Sequence, residues 1–185
     1  TPEKNQLVEY LKVPEQKISI IPYGVDHDLF KPISDNTEKI QRKTILKKYK
    51  LGNFPYLIHI SESNWARKNI FRLIDAFQMA KKTGMPHKLI IVGKNDEVVY
   101  KRAKPIPDVH LLGFVPEPDL ISLLQCADAL INPSLHEGFG LPMLEAMACQ
   151  VPVITSNVYS PPAVVGDGGL FVDPRDVNDI SKKII

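Results

Sequence analysis

Short, almost uniformly apolar runs recur along the chain at residues 18–21, 56–60, 88–92, 109–112, 129–132, 153–155 and 170–172. Runs of this kind suit strands buried on both faces, as in a parallel sheet. Between them lie stretches with helical spacing at 37–49, 69–83, 96–103, 119–126, 141–150 and 161–165, and a last one over 177–185. In one of these, Leu73, Ile74 and Phe77 fall on a single face. A short amphipathic stretch with Leu7, Val8 and Leu11 opens the chain. Strand–helix alternation at this spacing predicts an α/β domain whose helices cross over a parallel sheet with right-handed connections.

Six strands follow from Tyr56 onward, which suits a doubly wound, Rossmann-like sheet in the order 3-2-1-4-5-6. In that order the chain reverses direction between the first and fourth strands, and ligands bind outside their carboxyl ends. Unusual residues should therefore follow Ile60 and Asn132. They do: Ser61, Glu62, Ser63, Asn64, Trp65, Ala66, Arg67, Lys68 and Asn69 follow the first, and Pro133 to Pro142, with His136, Glu137, Gly138, Phe139, Gly140 and Leu141, follow the second.

Composition narrows the class without naming it. The 185 residues suit one domain or slightly more. A content of 44% hydrophobic and 24% charged residues is ordinary for a globular chain. The formal net charge of +2 provides no basic field of the kind nucleic-acid binders use, so no nucleic-acid partner is expected. Sixteen residues are proline, about 9% against about 5% on average, and they are spaced singly, as punctuation between elements. Cys126 and Cys149 lie in apolar stretches and read as buried free thiols of a reducing compartment. No signal-peptide pattern and no apolar run of membrane-spanning length occurs. The expectation is a cytoplasmic protein, cut at both ends.

The chemistry concentrates in Glu137, Gly138, Phe139, Gly140, Leu141, Pro142, Met143, Leu144 and Glu145. The glycines allow tight turns and close backbone approach, and Pro142 suits a first helical turn. Amides of residues 138–141 should then lie unpaired at a helix N-terminus, a place that attracts phosphate. Glu137 and Glu145 would flank them, and a carboxylate can accept both hydroxyls of a sugar diol. A plainer account is that Glu145 complements the helix dipole and the glycines make an ordinary turn. That account leaves Glu137 at the switch point unexplained.

The segment Pro133, Ser134, Glu137, Gly138, Phe139, Gly140, Leu141, Pro142, Glu145, Ala146 resembles the E-x7-E motif of group 1 retaining nucleotide-sugar glycosyltransferases, enzymes of two facing Rossmann-like domains (the GT-B fold). The resemblance runs along the chain. Ile21, Pro22, Tyr23, Gly24, Val25 and Asp26, with Phe30 and Pro32, resemble the lead-in to the C-terminal domain. Arg67, Lys68 and Asn69 resemble its basic phosphate loop, and Leu112, Gly113, Phe114 and Val115 its base-receiving loop. Residues 152–155 and 169–174 match later stretches.

The resemblance implies a role for each matching position. Glu145 would bind the donor ribose. Glu137, the catalytic candidate, would face the donor sugar. Amides of Gly138, Phe139, Gly140 and Leu141 would hold sugar hydroxyls and distal phosphate. Lys68 would neutralise the diphosphate leaving group, and backbone at Phe114 and Val115 would meet the base. Residues 1–35 would lead in from an N-terminal Rossmann-like domain, and 36–185 would be the nucleotide-sugar-binding domain, truncated at its C-terminus. The implied partners are a UDP-, GDP- or ADP-sugar, the other domain, and an acceptor sugar, glycan or lipid-linked glycan. No cofactor or metal is expected. The domain is expected to be inactive alone. One position departs from the family: where an arginine usually stands six residues before the lysine, this chain has Glu62, which would repel a diphosphate. Arg67 is expected to supply the charge by gripping phosphate bidentately, with a solvated loop charge as the alternative.

Other features are read more plainly. Asp26, His27 and Asp28 have D-x-D spacing but lie in the lead-in, so a turn is expected and no metal site. His136 reads as packing at the cleft edge, His59 as a core residue, and Trp65 either as a ligand stack or as a cover for its loop. His87 and His110 carry no partner signal. The basic stretch Lys39, Arg42, Lys43, Lys47, Lys48 and Lys50, with Ile40, reads as a solvated helix face. Its alternative is peripheral contact with an anionic membrane surface, which a lipid-linked acceptor would place at the inner face of the membrane.

The leading function is the donor-binding domain of a retaining hexosyltransferase. A non-catalytic nucleotide-sugar sensor or scaffold of the same fold is the alternative. The Glu137–Glu145 motif argues against an epimerase. The absence of G-x-G-x-x-G after the first strand and of a Walker-type loop argues against dehydrogenases and P-loop enzymes.

Overall fold

The computed structural model describes every residue except Thr1, Glu62, Ser63 and Asn95, and the backbone alone at Pro2, Glu3, Asp35, Asn36 and Glu38. The expectation for Glu62 thus lies outside the described residues. Helix α1 (Pro2–Leu11) and a short 3-10 turn precede α2 (Asp35–Lys48). An alternating series follows: β1 (Tyr56–Ile60), α3 (Ile70–Lys81), β2 (Lys88–Val92), α4 (Glu97–Ala103), β3 (Val109–Gly113), α5 (Glu117–Gln125), β4 (Ala129–Asn132), α6 (Leu141–Ala148), β5 (Val153–Ser156), α7 (Pro161–Val165), β6 (Gly169–Val172) and α8 (Val177–Ile184).

All six strands pair parallel in the order β3-β2-β1-β4-β5-β6, as the strand rhythm predicts. Ile58 sits opposite both Ile90 and Leu130, so on its face the middle of the sheet is aliphatic. The sheet divides two cores. Tyr56, Ile58, Ile90, Leu130 and Val153 face α2, α5, α6 and α7 on one side. Leu57, Leu89, Ile91, Ile131 and Ile154 face α3, α4 and α8 on the other. Helix α3 shows why: Ile70, Leu73, Ile74, Phe77 and Ala80 form a stripe at helical spacing, and all are buried. Helix α5 starts at Glu117, two residues before the sequence expectation, because Pro118 is tolerated in a first turn.

One predicted strand does not form. Residues 18–21 pair with no strand, and Ile20 and Ile21 are 52% and 85% exposed. An apolar run needs a neighbouring strand or a core to become one, and here it instead walls a cleft. The basic stretch also divides. Arg42 turns inward and donates to the carbonyls of Cys126 and of Phe54, the latter at 3.0 Å. Lys48 holds Asp119 at 2.6 Å. Lys39, Lys43, Lys47 and Lys50 stay exposed, with Ile40 among them. Among the described residues no helix is long and apolar enough to cross a membrane.

Candidate functional site

The loops after β1 and β4 meet at the reversal of strand order. Asn64 accepts from the Arg67 amide through its side chain and from the Lys68 amide through its carbonyl, both at 3.1 Å, which curls the first loop. Asn69 closes it in a left-handed conformation (φ 59°) that asparagine tolerates. Its buried amide donates to the carbonyls of Pro133 at 2.9 Å and Pro174 at 2.6 Å, tying together the loops after β1, β4 and β6. The Leu135 amide donates to the Arg67 carbonyl at 2.8 Å. From β5 and the loop that follows it, Ser156 donates to the Ser134 carbonyl at 2.5 Å and Ser160 to the Glu137 carbonyl at 2.7 Å.

This scaffold fixes Glu137, which is only 5% exposed. Its Oε1 accepts from Lys68 Nζ at 2.5 Å, from Ser134 at 2.7 Å and from Asn132 at 3.3 Å. Its Oε2 accepts from Arg67 Nη1 at 3.1 Å, and the same nitrogen also donates to the His136 carbonyl at 2.9 Å. Burial alone would push the Glu137 carboxyl up. The charge and hydrogen bond of Lys68, the Ser134 hydroxyl and Arg67 outweigh it and hold the group below the ordinary carboxylate range. Glu137 is thus an ionised anchor with both oxygens occupied. Lys68, itself 7% exposed, is buried only because that anchor is there.

Helix α6 supplies the other half. Gly140 precedes it at φ +100°, and a Cβ there would lie 1.9 Å from Met143 Cε, so the position needs glycine. The N–H groups of Gly138, Phe139, Gly140 and Leu141 find no acceptor among the described residues. They form an open helix start suited to an anion. The side chain of Glu145, one turn into α6, has no hydrogen-bond or ion-pair partner among the described residues. Burial, and then the charge of Glu117, raise its carboxyl above the ordinary range.

A cleft of about 1260 Å³ opens over these groups, and all ten expected site residues line it: Arg67, Lys68, Phe114, Val115, Glu137, Gly138, Phe139, Gly140, Leu141 and Glu145. Phe114 is 84% exposed, whereas Val115 is rooted in the core. Ile20, Ile21 and Tyr23 of the lead-in form another wall, and Tyr23 meets Phe139 edge to face at 5.1 Å between centroids. Glu117 also lines the cleft. Sequence reasoning passed over it, because an acidic residue opening a helix reads as a dipole complement. The one available signal was its position two residues beyond Val115 in the loop after the third strand.

The plainer sequence readings fit the geometry. Asp26 accepts from the Asp28 amide at 2.9 Å, a turn. Trp65 stacks on Phe71 at 4.4 Å and covers its loop. His136 packs on Tyr159 at 4.4 Å beside the cleft. His59 is wholly buried and its Nδ1–H donates to the Ile131 carbonyl at 2.7 Å. Among the described residues no group of His, Cys, Asp and Glu converges to hold a metal ion.

The profile of the family described as glycosyl transferases group 1 matches residues 41–185. O-antigen chain mannosyltransferase B of Escherichia coli is 38% identical over 180 residues, covering 91% of this chain and 47% of that protein. A capsular polysaccharide biosynthesis glycosyltransferase of Staphylococcus aureus is 28% identical over 98% of this chain and 48% of its own length. The chain therefore spans about half the length of these relatives. Among solved structures, a glycosyltransferase from Rickettsia africae superposes with a TM-score of 0.83 at 23% identity, over 98% of this chain and 50% of that one. The C-terminal domain of a glycosyl transferase group 1 family protein from Francisella tularensis gives 0.70 at 24% identity, over 87% of this chain and 86% of that one.

Proposed function

Because the chain belongs to the group 1 glycosyl transferases, we propose that its cleft holds the nucleoside diphosphate sugar from which a retaining enzyme moves a hexose to an acceptor hydroxyl. The observation that supports this reading most is the charge layout of the cleft. The cations Lys68 and Arg67 and the open amides of α6 gather at one end, held by the buried Glu137. Glu145, whose side chain has no partner among the described residues, lines the same cleft one turn into α6.

In this reading the diphosphate lies against Lys68, Arg67 and the amides of residues 138–141. Those groups stabilise the charge that grows as the glycosidic bond breaks, so a resident metal has no part in the proposal. Glu145 accepts the ribose hydroxyls. Glu137 faces the sugar from beneath the cations. With both oxygens engaged it is no free nucleophile, which suits replacement on the same face with the leaving phosphate taking the acceptor proton. The domain is proposed to bind the donor, and to transfer only with the half of the enzyme that its relatives carry in addition. The relatives named as mannosyltransferases make mannose the first sugar to test. A lipid-linked or free glycan is the proposed acceptor, with any membrane contact made through the exposed lysines of α2.

Glu145→Gln tests the reading better than removal of Glu137, because loss of Glu137 would strand a buried lysine, a change that typically costs about 3–5 kcal/mol. In the full-length protein, Glu145→Gln is expected to leave the unliganded melting temperature unchanged or slightly higher, since the carboxylate is held against its own desolvation. Stabilisation by nucleotide sugars should be largely lost. A ligand at 100 Kd contributes about 2.7 kcal/mol, well within reach of a thermal shift. Undiminished stabilisation of Glu145→Gln would overturn the assignment.

A further inference from the structure

A second pocket, of about 570 Å³, opens beside the first cleft where the chain leaves β5 and β6. Its volume falls within the roughly 300–1,000 Å³ of small-molecule sites. Leu135 and Pro174 give it apolar walls, and Asn157, Tyr159, Asp173 and Arg175 give it polar groups. The side chains of Asn157, Tyr159 and Arg175 have no hydrogen-bond or ion-pair partner among the described residues. The Asp173 carboxylate accepts from the Arg175 amide at 2.8 Å and, among the described residues, from nothing else.

The same loops wall both cavities. Leu135 lines the second and Glu137 the first; Tyr159 lines the second and Ser160 the first. Two residues of chain span at most about 7 Å. His136, between Leu135 and Glu137, packs on the Tyr159 ring at 4.4 Å. Tyr159 is held there at φ 62°, a conformation uncommon for a bulky side chain and of the kind that clusters at ligand sites. Asn69, next to Lys68, donates to the Pro174 carbonyl at 2.6 Å and ties the second pocket to the basic loop. In the sheet order, β3 stands on one side of the β1–β4 reversal and β5 and β6 on the other. The second pocket therefore lies across the basic end from Phe114 and Val115.

We propose that this pocket holds a pyranose unit of the acceptor glycan. The inference rests on the transfer reading above and adds where the acceptor lies. A pyranose has C–H faces that pack on an aromatic ring or a proline, and a rim of hydroxyls that each donate and accept. An ionised carboxylate only accepts and a guanidinium only donates, so Asp173 and Arg175 together serve such a rim, and the Asn157 amide does either. An anion fits less well, because the Asp173 carboxylate offsets the Arg175 charge.

Saturation-transfer NMR of the full-length protein with the methyl α-glycosides of mannose, glucose, galactose and N-acetylglucosamine tests this. At least one glycoside is expected to bind. Arg175→Gln, and Tyr159→Asn, which tolerates the left-handed backbone, both at exposed positions, should each raise its Kd about tenfold. GDP-mannose, UDP-glucose and ADP-glucose should leave the glycoside in place. If no glycoside binds, or if binding survives both substitutions, the subsite is overturned. If a nucleotide sugar displaces the glycoside, the pocket belongs to the donor sugar and the acceptor assignment is overturned. A thermal shift with the same three nucleotide sugars reads the donor site separately. A shift that persists in both variants keeps the donor reading whatever the glycosides do, and no shift in the wild type overturns that reading and the acceptor role with it.

Discussion

At the scale of single residues, His59 carries a sharp consequence. It is wholly buried in the middle of β1, Nδ1–H is bonded, and Nε2 has no partner among the described residues. Burial, foremost, and then the nearby Lys68 lower its pKa to about 4 from 6.5, against the pull of the Ile131 carbonyl and Glu137. Between these values an unfolded chain takes up a proton that the folded one refuses. The stability tied to His59 is therefore whole above pH 6.5 and drains as the pH falls toward 4. A difference of that size is worth on the order of 3 kcal/mol. Glu137 acts in a lower window, because its carboxyl is held below the ordinary range and its pairing is lost only on further acidification. Urea midpoints measured from pH 7 to pH 4.5 should fall in the wild type, and the fall should shrink markedly in His59→Leu. Parallel curves for the two would show that the imidazole does not titrate in this way.

At the scale of elements, the sheet was the most legible part and the loops the least. Runs such as Leu57, Ile58 and Leu89, Ile90, Ile91 have no polar face, and only a strand covered on both sides can use them. The run at 18–21 is apolar too but pairs with no strand among the described residues, and composition does not tell neighbours. The residues that line the cleft were legible because backbone freedom and chemistry coincide in Gly138, Gly140 and Glu145, and because Arg67 and Lys68 follow a strand end. The partners of Glu137 were not, since Lys68 and Arg67 from the loop after β1 and Ser160 from the loop after β5 reach it only where three loops meet. Nor does a sequence display that Asn69 holds Pro133 and Pro174 together. The start of α6 turns this into a measurement. Gly140→Ala meets both the positive φ and the Met143 methyl group, and is expected to cost about 1–3 kcal/mol. In a Met143→Ala background the cost should be smaller, because only the backbone strain remains. Additive costs in the denaturation cycle would mean that the methyl group is not in the way.

At the scale of the whole molecule, the cleft lies where the two layers hand over. Arg67 and Lys68 lead into α3, which packs with α8 on one side of the sheet. Gly138 to Gly140 lead into α6, which carries Glu145 and packs on the other. The sheet thus separates the stability of each core from the shape of the site, which depends on loop ends pinned by Asn69, Ser156 and Ser160. Ile180 of α8 is fully buried in the α3 side core and does not itself line the cleft. Ile180→Ala should lower the unfolding free energy by about 2–5 kcal/mol, the usual cost of an aliphatic-to-alanine change in a packed core. Well below its melting temperature the variant should still bind the donor nucleotide with wild-type affinity. Urea denaturation reads the first quantity and calorimetry the second. Donor affinity that falls together with stability would show instead that the α3–α8 layer sets the position of Lys68, and that the two cores and the cleft respond as one body.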